Sequence, residues 1–218
     1  RMGMARHDAY ALLLQGTNVL DFINGLSTNL VTGSCTTAFT NRAAQIIDVC
    51  EVVPVGSNVA LIGYLPHKDG LLSHLSERIL GQPISISDIS ALNEVFIGTG
   101  DSAPPEGTTV HQSYFGIMYI VPTRVKWTET WSQSEWKEHR IANEIPFYGH
   151  EISTTVHPLG CALGDLVHPQ KGCYVGQEVL VRMRSRGKLG HRLVRRINPV
   201  TKATTVGRNE SLVLERIQ

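Results

Sequence analysis

One stretch of the chain says the most about its fold: Lys171-Gly172-Cys173-Tyr174-Val175-Gly176-Gln177-Glu178. A cysteine stands between two glycines, which let the backbone bend or approach a partner where a Cβ atom would clash. The lysine favours the thiolate of the cysteine, the form that attacks electrophiles and binds metals. The glutamine adds an amide and the glutamate a carboxylate. The stretch predicts either a functional thiol on a tight loop or a turn packed around a buried cysteine.

Composition narrows the classes of protein that need to be considered. The chain has 218 residues, of which 42% are hydrophobic and 18% are charged, and its formal net charge is +1. These values are typical of a globular protein and give no electrostatic reason to expect nucleic acid as a partner. No apolar run approaches the ~20 residues of a membrane span. Four scattered cysteines favour a reducing compartment, and the spacing of His157, Cys161, His168 and Cys173 matches no common zinc pattern.

Periodicity and turn residues predict the order of the secondary-structure elements. The predicted helices begin at Asn18 as N-cap, at Pro66, at Ser132 with a capping box to Glu135, and at Val179. A loop is predicted over 99–113 because it is rich in glycine and proline. The predicted strands cover 8–16, two segments within 36–53, 59–64, 84–87, 94–98, 114–121, 189–197 and 212–217. Strand-helix-strand units of this kind predict an α+β fold.

Three segments together resemble the YgfZ family. The octapeptide matches its signature Lys-Gly-Cys-Tyr-x-Gly-Gln-Glu; the run from Arg140 through Ile145-Pro146 to Gly149-His150-Glu151-Ile152 matches a second segment, and a basic run over 182–193 matches a third. Members of this family bind folate, help to assemble or repair iron–sulfur clusters, and are relatives of the glycine-cleavage T-protein, which lacks the cysteine motif. Gly160 departs from the pattern, because many members have a glutamate or glutamine there.

The resemblance implies an architecture. It predicts a T-protein/YgfZ-like α+β fold with ferredoxin-like layers around a central pocket. A folate-binding region would cover 1–187, with a candidate internal seam near 99–113, and a short or truncated C-terminal β-barrel segment would cover 188–218. The implied compartment is the cytoplasm, or the mitochondrial matrix after loss of a transit peptide.

The resemblance also implies site residues. Cys173 would be the functional thiol and a transient iron–sulfur ligand shared with a partner, and Lys171 would tune it. Asp48 follows two isoleucines in a predicted strand, where a carboxylate must be paired, hydrogen-bonded or face a cavity; it is either a folate contact or a hydrogen-bond anchor. The residues expected to bind tetrahydrofolate or a derivative are Asp48, Arg140, Glu151, Tyr174, Gln177, Glu178 and Arg182.

Three functions follow from these residues. The first is a folate-binding accessory protein in iron–sulfur cluster assembly or repair, without classical turnover, whose partners are assembly proteins or cluster-containing client enzymes. One cysteine cannot hold a cluster alone, since four thiolates are the norm. The second is a folate-dependent aminomethyl or one-carbon transferase. The third is a cysteine hydrolase in which His168 or His191 serves Cys173 as base.

Overall fold

The computed structural model describes residues 2–100 and 103–218. It contains four α-helices: α1 (Val19–Asn24), α2 (Lys68–Ser76), α3 (Gln133–Ala142) and α4 (Gln177–Ser185). The strands are β1 (Met4–His7), β2 (Ala9–Gly16), β3 (Cys35–Thr40), β4 (Ile46–Val55), β5 (Asn58–Tyr64), β6 (Ile84–Asp88), β7 (Asn93–Gly98), β8 (Thr109–Ser113), β9 (Gly116–Pro122), β10 (His191–Ile197), β11 (Thr205–Val206) and β12 (Glu210–Arg216). The predicted mixture of helices and strands is confirmed.

Two antiparallel sheets form the body of the protein. The first has five strands in the order β3-β4-β5-β2-β6, and the second has four in the order β1-β7-β9-β8. A large apolar cluster joins them, with Val49 and Val53 from β4 meeting Ile97 and Met118 from the second sheet. Cys50 and Val52 belong to another cluster that α1 and α2 complete. Strand β4 is therefore covered on both faces, as its sequence predicts.

The C-terminal strands form a third, smaller sheet. Its order is β10-β12-β11, with antiparallel pairing throughout. The β-barrel segment predicted for 188–218 is thus an open three-stranded sheet, and no closed barrel occurs among the described residues. Ile141 of α3 packs against Leu193 and Leu212, so this sheet shares a small apolar cluster with the preceding region.

Several local predictions can be compared with the structure. The capping box is confirmed, since the Ser132 side chain accepts from the Glu135 amide while the glutamate accepts from the Ser132 amide. Asn18 stands at the predicted N-cap position of α1, but it adopts a left-handed conformation, φ 57°, and its side chain makes no capping bond. The loop over 99–113 is shorter than predicted, because β8 pairs with β9. Helix α4 begins two residues before Val179, at Gln177.

Candidate functional site

A cavity of about 850 Å³ opens beside the N-terminal strand β1. Three nearly parallel rings form part of its wall: Tyr64 stacks on Tyr148 with centroids 4.8 Å apart, and His7 lies 5.6 Å from Tyr148. Phe147 and Trp136 meet edge to face at 5.3 Å and continue the apolar wall. Flat aromatic side chains in a cavity wall favour a planar ring as ligand, because such a ring can stack on them.

Charged side chains surround the aromatic wall. Arg6 forms ion pairs with Glu94 at 2.8 Å and with Glu129 at 3.5 Å, and the hydrogen bond to Glu94 raises the pKa of its guanidinium. Lys137, half-buried on α3, also lines the cavity and makes no ion pair within the described part of the chain. A cation without a carboxylate partner at the edge of a cavity is available to an anionic ligand.

Burial also changes the proton affinity of His7, another residue in the wall of the cavity. Its ring is buried against Phe147 and Tyr148, and burial lowers the pKa of His7 to about 4. The imidazole is therefore neutral near pH 7, because desolvation disfavours its charged form. A neutral ring contributes to a stacking wall without adding a positive charge to it.

Arg140 and Glu151, both predicted to bind folate, form a buried ion pair. Nη1 of Arg140 lies 3.3 Å from Oε2 of Glu151, and both side chains are at most 1% exposed. Thr204 and Thr205 each donate to Oε1 of Glu151 at 2.6 Å, and the Phe147 amide donates to Oε2. Burial lowers the pKa of Arg140, and the Glu151 carboxylate opposes that shift. Arg140 lies in the wall of the cavity, whereas Glu151 acts behind it by holding Arg140 and the backbone of Phe147.

Asp48 is fully buried and has the geometry of a hydrogen-bond anchor. Its Oδ2 accepts from the Tyr10 hydroxyl at 2.6 Å and from the Tyr64 amide at 3.1 Å; its Oδ1 accepts from the Val49 amide and lies 3.0 Å from Nδ1 of His67. Burial raises its pKa, and the hydrogen bonds from His67 and Tyr10 oppose that shift. Asp48 is not among the residues that line the cavity; it contacts the aromatic wall indirectly, through the backbone amide of Tyr64 and through His67, whose ring packs edge-on against Tyr64.

The octapeptide loop is held by its lysine. Nζ of Lys171 donates to the backbone carbonyls of Asn24, Ser27 and Asn29 at 2.6–2.7 Å. These bonds use all three N–H groups of the ammonium, so none is left for the thiol of Cys173. The lysine therefore fastens the loop to the end of α1, and its electrostatic tuning of Cys173 stays a prediction. Burial lowers the pKa of Lys171 to about 8.

The following residues fasten the same loop at its other end. Tyr174 is buried with Leu159, Val167 and Leu180, so it serves as an apolar anchor. Gly176 has φ +87°, and a Cβ there would lie 2.6 Å from the carbonyl oxygen of Asn41. Only glycine fits this contact, which brings the start of α4 against the β3–β4 turn.

Cys173 lies at the free tip of this anchored loop and is exposed. Cys50 and Cys161 are buried and Cys35 is half-buried; burial raises the pKa of Cys35 to about 11 and of Cys161 to about 12. Residues 2–100 and 103–218 contain no cluster of three or more His, Cys, Asp or Glu able to hold a metal. In the same residues Cys173 makes no hydrogen bond to a histidine, and Nδ1 of His168 accepts from the amide of Gln170.

The predicted site residues therefore fall into two groups. Arg140 lines the aromatic cavity and Glu151 and Asp48 lie behind its wall, whereas Tyr174, Gln177, Glu178 and Arg182 belong to the octapeptide loop and α4. Gln177 donates weakly to the carbonyls of Lys171 and Gly172, and Glu178 pairs with Arg182 on the surface of α4. The cavity residues for which the sequence predicts no role include His7, Tyr64, Lys137, Phe147 and Tyr148.

Comparisons with known proteins agree with the fold. No family model matches the chain. Over 43 residues it is 44% identical to an aminomethyltransferase of Exiguobacterium sibiricum; the match covers 20% of this chain and 12% of that protein. The structure resembles the glycine cleavage system aminomethyltransferase T of Bartonella henselae, with a TM-score of 0.67 and 13% identity, over 89% of this chain and 66% of the other. The chain thus spans just under two-thirds of that protein.

These findings establish a fold similar to that of the aminomethyltransferase T-protein: a mixed α/β structure with antiparallel sheets. At 13% identity the likeness concerns the fold and not the activity. In the described chain no helix is both long enough and apolar enough to span a membrane.

Proposed function

We propose that this protein binds a reduced folate in the aromatic-walled cavity and acts as an accessory protein in iron–sulfur cluster assembly or repair. The observation that carries the folate half is the cavity of about 850 Å³ with its three nearly parallel rings, in a fold similar to that of an aminomethyltransferase. Its volume is within the range of small-molecule sites, which is roughly 300–1,000 Å³.

The residues around the cavity fit the chemistry of tetrahydrofolate. A pterin ring is planar and would stack against Tyr64 and Tyr148. The glutamate tail is anionic and would meet Lys137, which has no ion-pair partner in the described chain. The Arg140–Glu151 pair keeps the back of the cavity rigid. Folate would therefore be recognised by stacking and by a cation at the rim.

The iron–sulfur half of the proposal rests on Cys173. Its thiol is exposed on a loop that Lys171 and Tyr174 fasten on either side, so it can be presented to another protein without rearrangement of the loop. A cluster is cargo here and not a resident cofactor, since four thiolates are the norm and the other cysteines are wholly or half-buried. The missing ligands would come from an assembly protein or a client enzyme.

Folate binding is tested by anaerobic calorimetric titration with tetrahydrofolate. We expect saturable binding that Tyr64→Ala weakens by about 10-fold, a loss that corresponds to one aromatic stacking contact. Tyr114→Ala is the matched control, because Tyr114 is partly exposed and lies outside the cavity. Absence of binding to the wild-type protein, or equal loss in both variants, would remove the folate half.

The role of Cys173 is tested in cells that lack the protein and carry either the wild type or a variant. Cys173→Ser should abolish recovery of iron–sulfur enzyme activity, while Cys35→Ser, at a half-buried thiol, should not. Full recovery with Cys173→Ser would show that the thiol is dispensable for this role.

A second candidate is folate-dependent aminomethyl or one-carbon transfer, favoured by the 43-residue match to an aminomethyltransferase. Such an enzyme should turn over a methylamine-type donor with tetrahydrofolate and should keep its rate in Cys173→Ser. An accessory protein should show no turnover. The two functions are therefore separated by one assay on one variant.

A further inference from the structure

A second polar site lies where the two large sheets meet, at strands β3 and β8. Its centre is the carboxylate of Glu51, which is 1% exposed. Thr36 donates to Oε2 of Glu51 at 2.7 Å, and Ser113 donates to Oε1 at 2.7 Å. Both hydroxyl oxygens accept a backbone amide, from Tyr114 and Phe115 respectively, so their single hydrogens are committed to the carboxylate. Both hydroxyls therefore donate to Glu51, one to each of its oxygens.

His111 connects this carboxylate to the surface. Its Nε2 lies 2.8 Å from Oε2 of Glu51, and its Nδ1 lies 3.1 Å from Oγ of Ser34. A carboxylate accepts hydrogen bonds and cannot donate them, so the partner of a Glu51 carboxylate is an Nε2–H donor. In that tautomer Nδ1 has a free lone pair, which accepts the hydrogen of the Ser34 hydroxyl.

We propose that Ser34, His111 and Glu51 form an activated serine site able to take up an acyl group from a small carboxylic ester. The hydrogen-bond chain has the order nucleophile, base and orienting carboxylate that hydrolytic triads share across unrelated folds. Exposure follows the same order, since Ser34 is exposed while His111 and Glu51 are buried. None of the three lines the aromatic cavity of the described chain, so this site is independent of the proposed folate function.

The chemistry balances without a cofactor. Oγ of Ser34 attacks the ester carbonyl carbon, and its proton passes to Nδ1 of His111. Glu51 stabilises the resulting imidazolium through Nε2–H. The C–O bond to the alcohol breaks, and the leaving alkoxide takes the proton from His111. Water then attacks the acyl-serine by the same route and releases the carboxylic acid and free Ser34.

The site is tested with a fluorophosphonate probe, which forms a Ser Oγ–P bond and releases fluoride when the serine is activated. We expect labelling of the full chain at Ser34, located by peptide mass spectrometry and absent in Ser34→Ala. His111→Gln keeps a donor to Glu51 but has no base at the Nδ1 position. It should slow labelling by about 100-fold, the contribution typical of a general base.

Controls separate activation from mere exposure. Ser57→Ala removes another exposed hydroxyl and should leave labelling unchanged. Folding of His111→Gln is checked by circular dichroism, and Ser34→Ala changes a surface position where folding is not at risk. No label at Ser34, or a label that His111→Gln does not slow, would overturn the proposal and leave the cluster as a polar joint between the two sheets.

Discussion

Strand β4 and the octapeptide loop use their polar groups in opposite ways. On β4, Asp48 and Glu51 are buried, and each oxygen of both carboxylates has at least one hydrogen-bond donor. In the loop, Lys171 and Tyr174 are the anchors, and Cys173 is left exposed between them. The β4 carboxylates act on their surroundings only through the groups they hold, whereas the loop leaves one reactive atom free for contact with another molecule.

The comparison predicts that substitutions on β4 will cost far more stability than one at the loop tip. Asp48→Ala should show the largest loss, about 3–5 kcal/mol, because Tyr10, His67 and two backbone amides would lose a buried acceptor. Urea unfolding measures the change in free energy. Asp69→Ala, at an exposed position in the first turn of α2, is the control and should stay within about 0.5 kcal/mol. Equal losses in the two variants would contradict the anchor role of Asp48.

His7 extends the comparison to a buried ionisable group that lacks a charged partner, since no carboxylate pairs with it in the described chain. Its pKa is about 4 in the folded protein and about 6.5 when unfolded. The unfolded chain therefore binds the proton first as pH falls, and stability should drop by about 3 kcal/mol between pH 6.5 and pH 4. The measurement is the free energy of unfolding of wild type and His7→Asn across this range. The variant should lose that share of the pH dependence; parallel curves would show that His7 is not the group that titrates.

Lys171→Met tests the anchor of the loop. Three backbone carbonyls would lose their donor, which should cost about 2 kcal/mol. Hydrogen exchange should also quicken in the loop, while Lys188→Met, at an exposed lysine, should change neither quantity. If Lys171→Met unfolds at the wild-type urea midpoint, the anchoring contacts contribute nothing to stability.

Cys173→Ser should have the smallest effect, within about 0.5 kcal/mol, because the side chain is exposed. Cys50→Ser is the contrasting variant, since Cys50 is buried and lies 3.3 Å from the Tyr10 hydroxyl. It should cost about 1–3 kcal/mol. In the folded wild type, one thiol should react quickly with a disulfide reagent, and Cys173→Ser should remove that reaction.

The sequence predicts best those structural features that depend on residues close together along the chain. The capping box at Ser132 and the strand pair around Asp48 involve neighbours in sequence, and both were read correctly. The glycine and proline content of 99–113 predicts a loop over strand β8, whereas the structure pairs this segment with β9, a contact that its local sequence does not show. The sequence predicts the start of α4 two residues late because Gly176, in a left-handed conformation, precedes the helix without a side-chain cap.

The candidate sites were predicted less completely, for the same reason. Cys173 stands in a contiguous motif, so its prominence could be read directly, but the anchoring of Lys171 to carbonyls some 140 residues earlier could not. The cavity brings His7, Tyr64 and Tyr148 together from three separate segments. Nothing in the spacing of these rings along the chain distinguishes them from core aromatics.

The hydrogen-bond donors that form a shell around Glu151 bear on whether the chain can be cut into two independent domains. Thr204 and Thr205 fill its Oε1, and Thr205 also receives a hydrogen bond from Arg140. These threonines lie beyond position 187, where the sequence predicts a domain boundary, whereas the ion pair that they complete lies before it. A chain shortened to residue 187 would leave a charged pair with half of its shell removed, and it would also expose Ile141. We therefore expect the preceding region to be unstable without the C-terminal sheet, and limited proteolysis should yield no stable fragment that ends at residue 187.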